Sequence, residues 1–258
     1  MISMKINHFS NVLSMNMDCH LFLPTDRGDK EDKLKVLWLL PGGSDDENSW
    51  LIHSTAPNLA DLCGIAIVMA TGNDSFCVDM VHGLNYGTYL GEELPKILRQ
   101  MFPELSEKRE DNMISGLSNG GYGCFMVGLS HPENFGYIGA FSAGDKADSK
   151  YTPAKEGEMT KRVVIFGQDD IKESEYSIKV LARKVAEGTG LRPKIYHACG
   201  LLDPWLDMNR MVRDCFIALN DPDFCYEYVE VEGKGHEWDF WDQEVRRFLS
   251  YAGVTPIR

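Results

Sequence analysis

Short apolar runs alternate with amphipathic segments along most of the chain. Runs that are apolar at nearly every position are typical of strands that are covered on both faces of a sheet. The predicted strands cover about residues 4–9, 12–23, 34–40, 64–70, a run that begins at residue 112, and residues 136–142, 193–199 and 224–231.

Helices are indicated where apolar residues recur every three or four positions. They are predicted at about residues 49–62, 88–101, 175–187 and 205–219, after Ser118, and in a last helix lined by Trp238, Trp241, Val245, Phe248 and Leu249. Strands that alternate with helices predict an α/β fold, in which helices cover both faces of a mostly parallel, twisted sheet.

Two long stretches, residues 71–86 and 143–160, have no regular period. The second is polar and rich in glycine, alanine and lysine, and we interpret it as an insertion over the sheet, where long loops are often functional. The apolar run from Val163 to Phe166 is predicted to be a strand of that insertion. Because the sequence contains no repeat, low-complexity segment or linker, residues 1–258 are predicted to form one domain.

Composition and charge exclude several classes of partner. The 258 residues are 43% hydrophobic and 25% charged, as in ordinary soluble proteins. The net charge of -13, without any run of basic residues longer than a pair, argues against nucleic acid or an anionic membrane as a partner.

The N-terminal residues resemble no signal peptide, and no stretch approaches the roughly 20 apolar residues of a membrane span. The seven cysteines are scattered and include no Cys-x-x-Cys pair, which favours reduced thiols. The sequence therefore predicts a cytoplasmic protein.

A Gly-x-Ser-x-Gly pattern, Gly116 to Gly120, follows the apolar run that begins at residue 112. This pattern is typical of a nucleophile elbow, a strained turn between a strand and a helix that exposes the serine. The two glycines lack side chains that would collide at the turn, and the amides at the start of the new helix point toward an oxyanion. The pattern alone is weak, so Ser118 needs supporting residues elsewhere in the chain.

A serine nucleophile needs a histidine that takes its proton and a carboxylate that orients the histidine. Asp203 follows the strand 193–199 through a glycine, and His236 follows the strand 224–231 between glycines and a helix. The order serine, aspartate, histidine is that of a nucleophile-elbow hydrolase. Other residues of the two types remain as alternatives; for the acid they are Asp169, Asp170 and Asp207, and for the base His8, His20, His53, His82, His131 and His197. Asp203 is also a candidate N-cap of the helix 205–219.

The oxyanion hole of such a site needs two backbone amides. We expect one from Asn119, the residue after the serine, and one from Gly43 in the loop Pro41-Gly42-Gly43-Ser44 that follows a buried strand. The alternative is that these glycines form only a tight turn. No cluster of His, Asp or Glu has the spacing of metal ligands, so a catalytic metal is not expected.

Four further residues are candidates for lining a substrate pocket: Trp50, Phe76, His82 and Tyr86. For the aromatic ones, burial in the core is the alternative, because large aromatic side chains dominate protein cores.

The chain resembles the esterase-D-like branch of the α/β-hydrolases, and within it the small bacterial tributyrin and acetyl esterases. The resemblance covers nearly the whole chain in order. Four segments carry it: Leu39-Leu40-Pro41-Gly42-Gly43 with Asn48-Ser49-Trp50-Leu51; Tyr86 through Glu92-Glu93-Leu94-Pro95; Gly116 through Cys124; and Gly235-His236-Glu237-Trp238 with Trp241. It implies a serine carboxylesterase without cofactor, a small-molecule ester with a short acyl chain, frequent homo-oligomers, and the same assignment of Ser118, Asp203, His236 and Gly43.

The sequence departs from that family at two positions in the motifs. Pro41 stands where the family usually has histidine, and Asn119 where it often has methionine. The short insertion region, about residues 143–175, implies a small or absent cap. Substrates of relatives include S-formylglutathione, feruloyl esters and acetylated sugars, and some relatives are acyltransferases. A non-catalytic binding protein on the same fold is the alternative from another functional class.

Overall fold

One sheet of eight strands runs through the described part of the computed structural model, which comprises residues 1–26, 32–148, 158–188 and 190–257. The strands are β1 Ile2–Ser10, β2 Met15–Leu23, β3 Val36–Leu40, β4 Ala66–Met69, β5 Asn112–Leu117, β6 Tyr137–Phe141, β7 Lys194–Gly200 and β8 Glu227–Val231. Their order across the sheet is β1-β2-β4-β3-β5-β6-β7-β8. β1 pairs with β2, and β2 with β4, in antiparallel fashion, whereas the strands from β4 to β8 are parallel. The predicted mostly parallel sheet is confirmed.

Helices lie between the strands. They are α1 Ser49–His53, α2 Leu59–Cys63, α3 Tyr86–Thr88, α4 Leu94–Met101, α5 Asn119–Ser130, α6 Lys161–Phe166, α7 Ile178–Glu187, α8 Leu206–Leu219 and α9 Trp238–Tyr251. A π-helical turn, Tyr89–Glu93, joins α3 to α4, so residues 86–101 are helical throughout. No helix of the described residues is long and apolar enough to cross a membrane.

The two faces of the sheet bury separate hydrophobic clusters, which explains the unbroken apolar runs. In β3, Trp38 belongs to the cluster under α5, and its neighbours Leu37 and Leu39 belong to the cluster under α9. Successive side chains of a strand point to opposite faces, so a strand covered on both sides must be apolar at every position. The helices α5 and α9 thereby hold the central strands from opposite sides.

Two of the predicted elements need correction. The predicted strand at Val163 to Phe166 is wrong, because these residues lie in α6, where the hydroxyl of Thr160 accepts a hydrogen bond from the amide of Val163. Four apolar residues suit a short helix as well as a strand, and the helix cap decides between them. The predicted helix at 49–62 is interrupted between α1 and α2, where Ser54 is extended and Pro57 follows.

The insertion predicted at residues 143–160 is described only in part. Lys146–Asp148 form one 3₁₀ turn after β6, and residues 149–157 lie outside the described residues.

Candidate active site

The turn at Ser118 has the strained backbone of a nucleophile elbow. Ser118 has φ 53° and ψ -117° between β5 and α5, a conformation that non-glycine residues rarely adopt. Its amide donates to the carbonyl of Phe141 over 2.8 Å, which ties the turn to the neighbouring strand. A Cβ at Gly116 would come within 2.5 Å of the Gly120 carbonyl oxygen, and one at Gly120 would collide with the Pro41 carbonyl. The elbow therefore requires both glycines of the sequence pattern.

Asp203 and His236 meet at the same edge of the sheet. His236 Nδ1 donates to Asp203 Oδ2 over 2.8 Å, and the Asp203 side chain is fully buried while that of His236 is 25% exposed. Asp203 Oδ1 accepts from the amide of Trp205, just before α8, so the aspartate also orders the start of that helix. Burial alone would raise the pKa of Asp203, but hydrogen bonds from His236, Ser142 and Trp205 outweigh it and lower the pKa. This carboxylate remains charged beside the imidazole.

Ser142 and Trp241 support this pair, and sequence reasoning gave neither of them a role in the site. The indole N–H of Trp241 donates to Ser142 Oγ over 3.0 Å, and the Ser142 hydroxyl is one of the groups that lower the pKa of Asp203. The Trp241 ring also lies edge-on to the His236 ring, with centroids 4.9 Å apart. These four side chains form a closed ring of contacts. The positive φ of Ser142, 53°, is a further sign of a constrained position, and no pattern in the sequence signals it.

The loop after β3 passes directly beside Ser118. A Cβ on Gly42 would lie 3.7 Å from Ser118 Cβ, and a Cβ on Gly43 would collide with Asn119 Nδ2. The indole N–H of Trp50 donates to the Leu40 carbonyl over 2.9 Å at the base of the loop. The two predicted oxyanion donors, Gly43 and Asn119, are therefore neighbours, and a side chain at position 43 would displace the Asn119 side chain.

A group of cationic and aromatic side chains adjoins Asn119. Lys146 Nζ donates to Asn119 Oδ1 over 2.7 Å and lies 4.9 Å from the centre of the Phe76 ring. Lys161 Nζ lies 5.0 Å from the same ring and forms an ion pair with Asp74. Burial, reinforced by the charge of Lys161, lowers the pKa of Lys146 to about 8.

The four candidate pocket residues are distributed differently. Phe76 is half-buried in the group just described, beside Asn119 through Lys146. Trp50 and Tyr86 are 1% and 4% exposed, as expected for core residues. His82 is exposed, and its amide pairs with the carbonyl of Val164. Phe76 therefore lies near the predicted oxyanion donor Asn119. Trp50 and Tyr86 lie in the core, and His82 lies on the surface.

Two further features concern the chemistry of the site. Among the described residues, no three His, Cys, Asp or Glu side chains are placed to hold a metal ion. None of the described residues forms a hydrogen bond with the Ser118 hydroxyl.

Comparisons with known proteins identify the family of the chain. A family model described as "Putative esterase" matches residues 10–245. An acetyl esterase of Caldicellulosiruptor saccharolyticus is 32% identical over 262 residues, which cover 95% of this chain and 96% of that protein.

Two solved structures from Staphylococcus aureus are also similar. FphF, a fluorophosphonate-binding serine hydrolase, has a TM-score of 0.85 and 26% identity, with 97% of this chain and 98% of that chain covered. The S-formylglutathione hydrolase FrmB has a TM-score of 0.83 and 25% identity, with the same coverage. The chain belongs to the esterase family that the matching model describes, and it is a carboxylic ester hydrolase with the α/β-hydrolase fold.

Proposed function

We propose that this protein is a serine carboxylesterase that hydrolyses short-chain acyl esters through an acyl-enzyme on Ser118. The observation that carries the proposal is the hydrogen bond of 2.8 Å between His236 Nδ1 and the buried Asp203 carboxylate. An ionised carboxylate only accepts hydrogen bonds, so the proton is on Nδ1, and Nε2 of the neutral ring has the free lone pair of a base.

Acylation begins when His236 Nε2 takes the Ser118 proton and Oγ attacks the ester carbonyl carbon. The carbonyl oxygen becomes an oxyanion, which the amides of Gly43 and Asn119 bind. When the C–O bond to the alcohol breaks, the imidazolium returns its proton to the leaving oxygen. Asp203 stabilises the imidazolium throughout without taking the proton.

Deacylation repeats these steps with water. His236 takes a proton from the water as its oxygen attacks the acyl carbon, and then protonates Ser118 Oγ as the acid is released. Apart from the ester and this water, the steps use only side chains and backbone amides of the chain.

The acetyl esterase similarity supports a short acyl group, since that relative covers nearly all of this chain. A thioester is a second candidate substrate, because FrmB, an S-formylglutathione hydrolase, matches the chain over almost its full length. Attack by Ser118 is the same in both reactions, and a thiol would replace the alcohol as the leaving group.

Substitution of the serine tests the proposal. We expect Ser118→Ala to lower the turnover of p-nitrophenyl acetate by at least about 10³-fold, because the nucleophile is removed. The release of p-nitrophenol is followed under conditions that separate an initial burst from steady turnover. Ser130→Ala, at the exposed end of the same helix, is the matched control and should retain wild-type rates.

A fluorophosphonate probe identifies the nucleophile independently. We expect one covalent adduct on wild type, located on Ser118 by peptide mass spectrometry, and none on Ser118→Ala. Wild-type turnover by Ser118→Ala would overturn the proposal. Parallel assays with acetyl esters and S-formylglutathione then decide which class of substrate is preferred.

A further inference from the structure

The side chain of Asn119 bridges two parts of the site. Its Oδ1 accepts a hydrogen bond of 2.7 Å from Lys146, in the loop after β6. Its Nδ2 lies against Gly43, in the loop after β3, where any Cβ would collide with it. One side chain therefore contacts both the predicted oxyanion loop and the start of the insertion.

The chemistry of lysine determines the orientation of this amide. An ammonium group has only donors, so the atom of Asn119 that faces Lys146 must be the oxygen. The NH₂ group is consequently at the other end of the amide plane, beside Gly43. Asn119 is partly exposed, and within the described residues its NH₂ has no hydrogen-bond acceptor.

Lys146 is itself held in place. Its Nζ lies over Phe76, and Lys161, paired with Asp74, occupies a second position around the same ring. A partly buried lysine with these contacts has fewer accessible rotamers than a solvated one, so the orientation of the Asn119 amide is fixed before a substrate binds.

The location of the NH₂ group indicates which half of the ester it meets; this step rests on the proposed function. The leaving oxygen must lie near His236, which protonates it, and the carbonyl oxygen lies between the amides of Gly43 and Asn119. The remaining substituent of the reacting carbon is the carbon chain of the acyl group. Asn119 contacts the oxyanion loop at Gly43 and the 3₁₀ turn after β6 at Lys146, and among the described residues no hydrogen bond or ring contact joins its side chain to His236.

We propose that Asn119 is a specificity-determining residue whose side-chain NH₂ donates a hydrogen bond to an oxygen atom in the acyl group of the substrate. The preferred substrates are then esters of short acids that have an ether, hydroxyl or carbonyl oxygen on the carbon next to the ester carbonyl. Lys146 is a positioning residue in this scheme, because it acts through the amide of Asn119.

Two esters of nearly equal size test this inference. p-Nitrophenyl methoxyacetate and p-nitrophenyl butanoate differ by an oxygen in place of one CH₂ in the acyl chain. The ratio of their kcat/KM values is measured on each variant, so the amount of folded enzyme and the intrinsic reactivity of the esters cancel between variants.

We expect Asn119→Leu, which keeps the shape but removes the N–H groups, to lower the methoxyacetate-to-butanoate ratio by about 3- to 10-fold. Lys146→Met should lower it by a smaller factor, since the amide remains but is free to turn. Asn58→Leu, at an exposed position in the 3₁₀ turn before α2, is the matched control and should leave the ratio unchanged.

An unchanged ratio in Asn119→Leu, with turnover that still requires Ser118, would overturn this inference alone. An equal loss on both esters would also overturn it, because the side chain would then act only on the oxyanion hole. Turnover that does not depend on Ser118 would overturn the proposed function and this inference together.

Discussion

Lys146 carries its charge in surroundings that disfavour it. Burial and the nearby charge of Lys161 lower its pKa from the ordinary 10.5 to about 8, while the carboxylate of Asp145 acts in the opposite direction. In return, the ammonium group donates to Asn119 and lies over the ring of Phe76. Strongly shifted pKa values are typical of functional sites, and this one belongs to a residue beside the predicted oxyanion donor Asn119.

The pH dependence of stability follows from the lowered pKa of Lys146. Between about pH 8 and 10.5 the unfolded chain binds this proton and the folded protein does not, so the free energy of unfolding rises with pH. We expect wild type to gain up to about 1.4 kcal/mol per pH unit relative to Lys146→Met across this window. Urea unfolding of both proteins at pH 7.5 and 9.5 measures the difference; a value that does not change with pH contradicts the expectation.

At the level of elements, the first turn of α9 follows His236 in the chain and also contacts the side chains of the candidate site. Trp241 contacts the imidazole with its ring and holds Ser142, at the end of β6, with its indole N–H. Ser142 in turn acts on Asp203, which follows β7, and lowers the pKa of its carboxyl group. Three elements are thus connected by side chains that meet around one carboxylate.

This arrangement predicts that Ser142→Ala and Trp241→Phe act on the same step. Each should lower kcat by about tenfold with little change in KM, because the orientation of Asp203 is lost and substrate contacts remain. The double variant should cost no more than the worse single one, since both substitutions break the same chain of hydrogen bonds.

Trp238→Phe is the matched control, because Trp238 lies on the same helix and contacts Trp241 and Trp50 by ring packing. Its kcat should stay near that of wild type. Additive losses of kcat in the double variant would show that Ser142 and Trp241 act independently, and a change confined to thermal stability would show that they support only the fold.

At the scale of the whole molecule, the site depends on two clusters that hold the sheet from both sides. Phe248 of α9 is fully buried and packs on Gly139 of β6, where any Cβ would come within 2.6 Å of its ring. Phe125 of α5 is buried on the opposite face, stacked on Phe216. The parallel strands between these helices end at the residues of the site.

We expect Phe248→Ala to lower the free energy of unfolding by about 3–5 kcal/mol, because it removes a large buried ring and leaves a cavity against Gly139. Urea denaturation measures this loss. Ile217→Ala, at a position 62% exposed on α8, is the control and should change stability by about 0.5 kcal/mol or less. A loss below about 1 kcal/mol for Phe248→Ala would show that the cluster under α9 repacks around the gap.

Much of the fold was predictable because its elements are long and strongly patterned. Alternating apolar runs located every strand of the sheet to within a few residues. The run from Val163 to Phe166 failed because four apolar residues have no distinct period, and its state depends on the cap from Thr160. The predicted helix at 49–62 does not contain the break between α1 and α2, because the apolar residues on both sides of Pro57 keep a helical spacing.

The chemical groups of the candidate site and their order along the chain can be read from local sequence patterns. The elbow glycines, Ser118, Asp203 and His236 follow from local rules, since each depends on a strand, a turn and a helix that are adjacent in sequence. The glycine loop at 42–43 is local in the same way, and these motifs were sufficient to indicate an ester hydrolase.

Which of these groups meet in space depends on the folded arrangement of the strands and helices. The pairing of His236 with Asp203 spans 33 positions, that of Lys146 with Asn119 spans 27, and that of Trp241 with Ser142 spans 99. Such contacts depend on the order of strands in the sheet and on the burial of both partners, and neither is encoded in a local pattern. The side chain of Asn119 therefore acquires its partners, and the role we propose for it, from the fold alone.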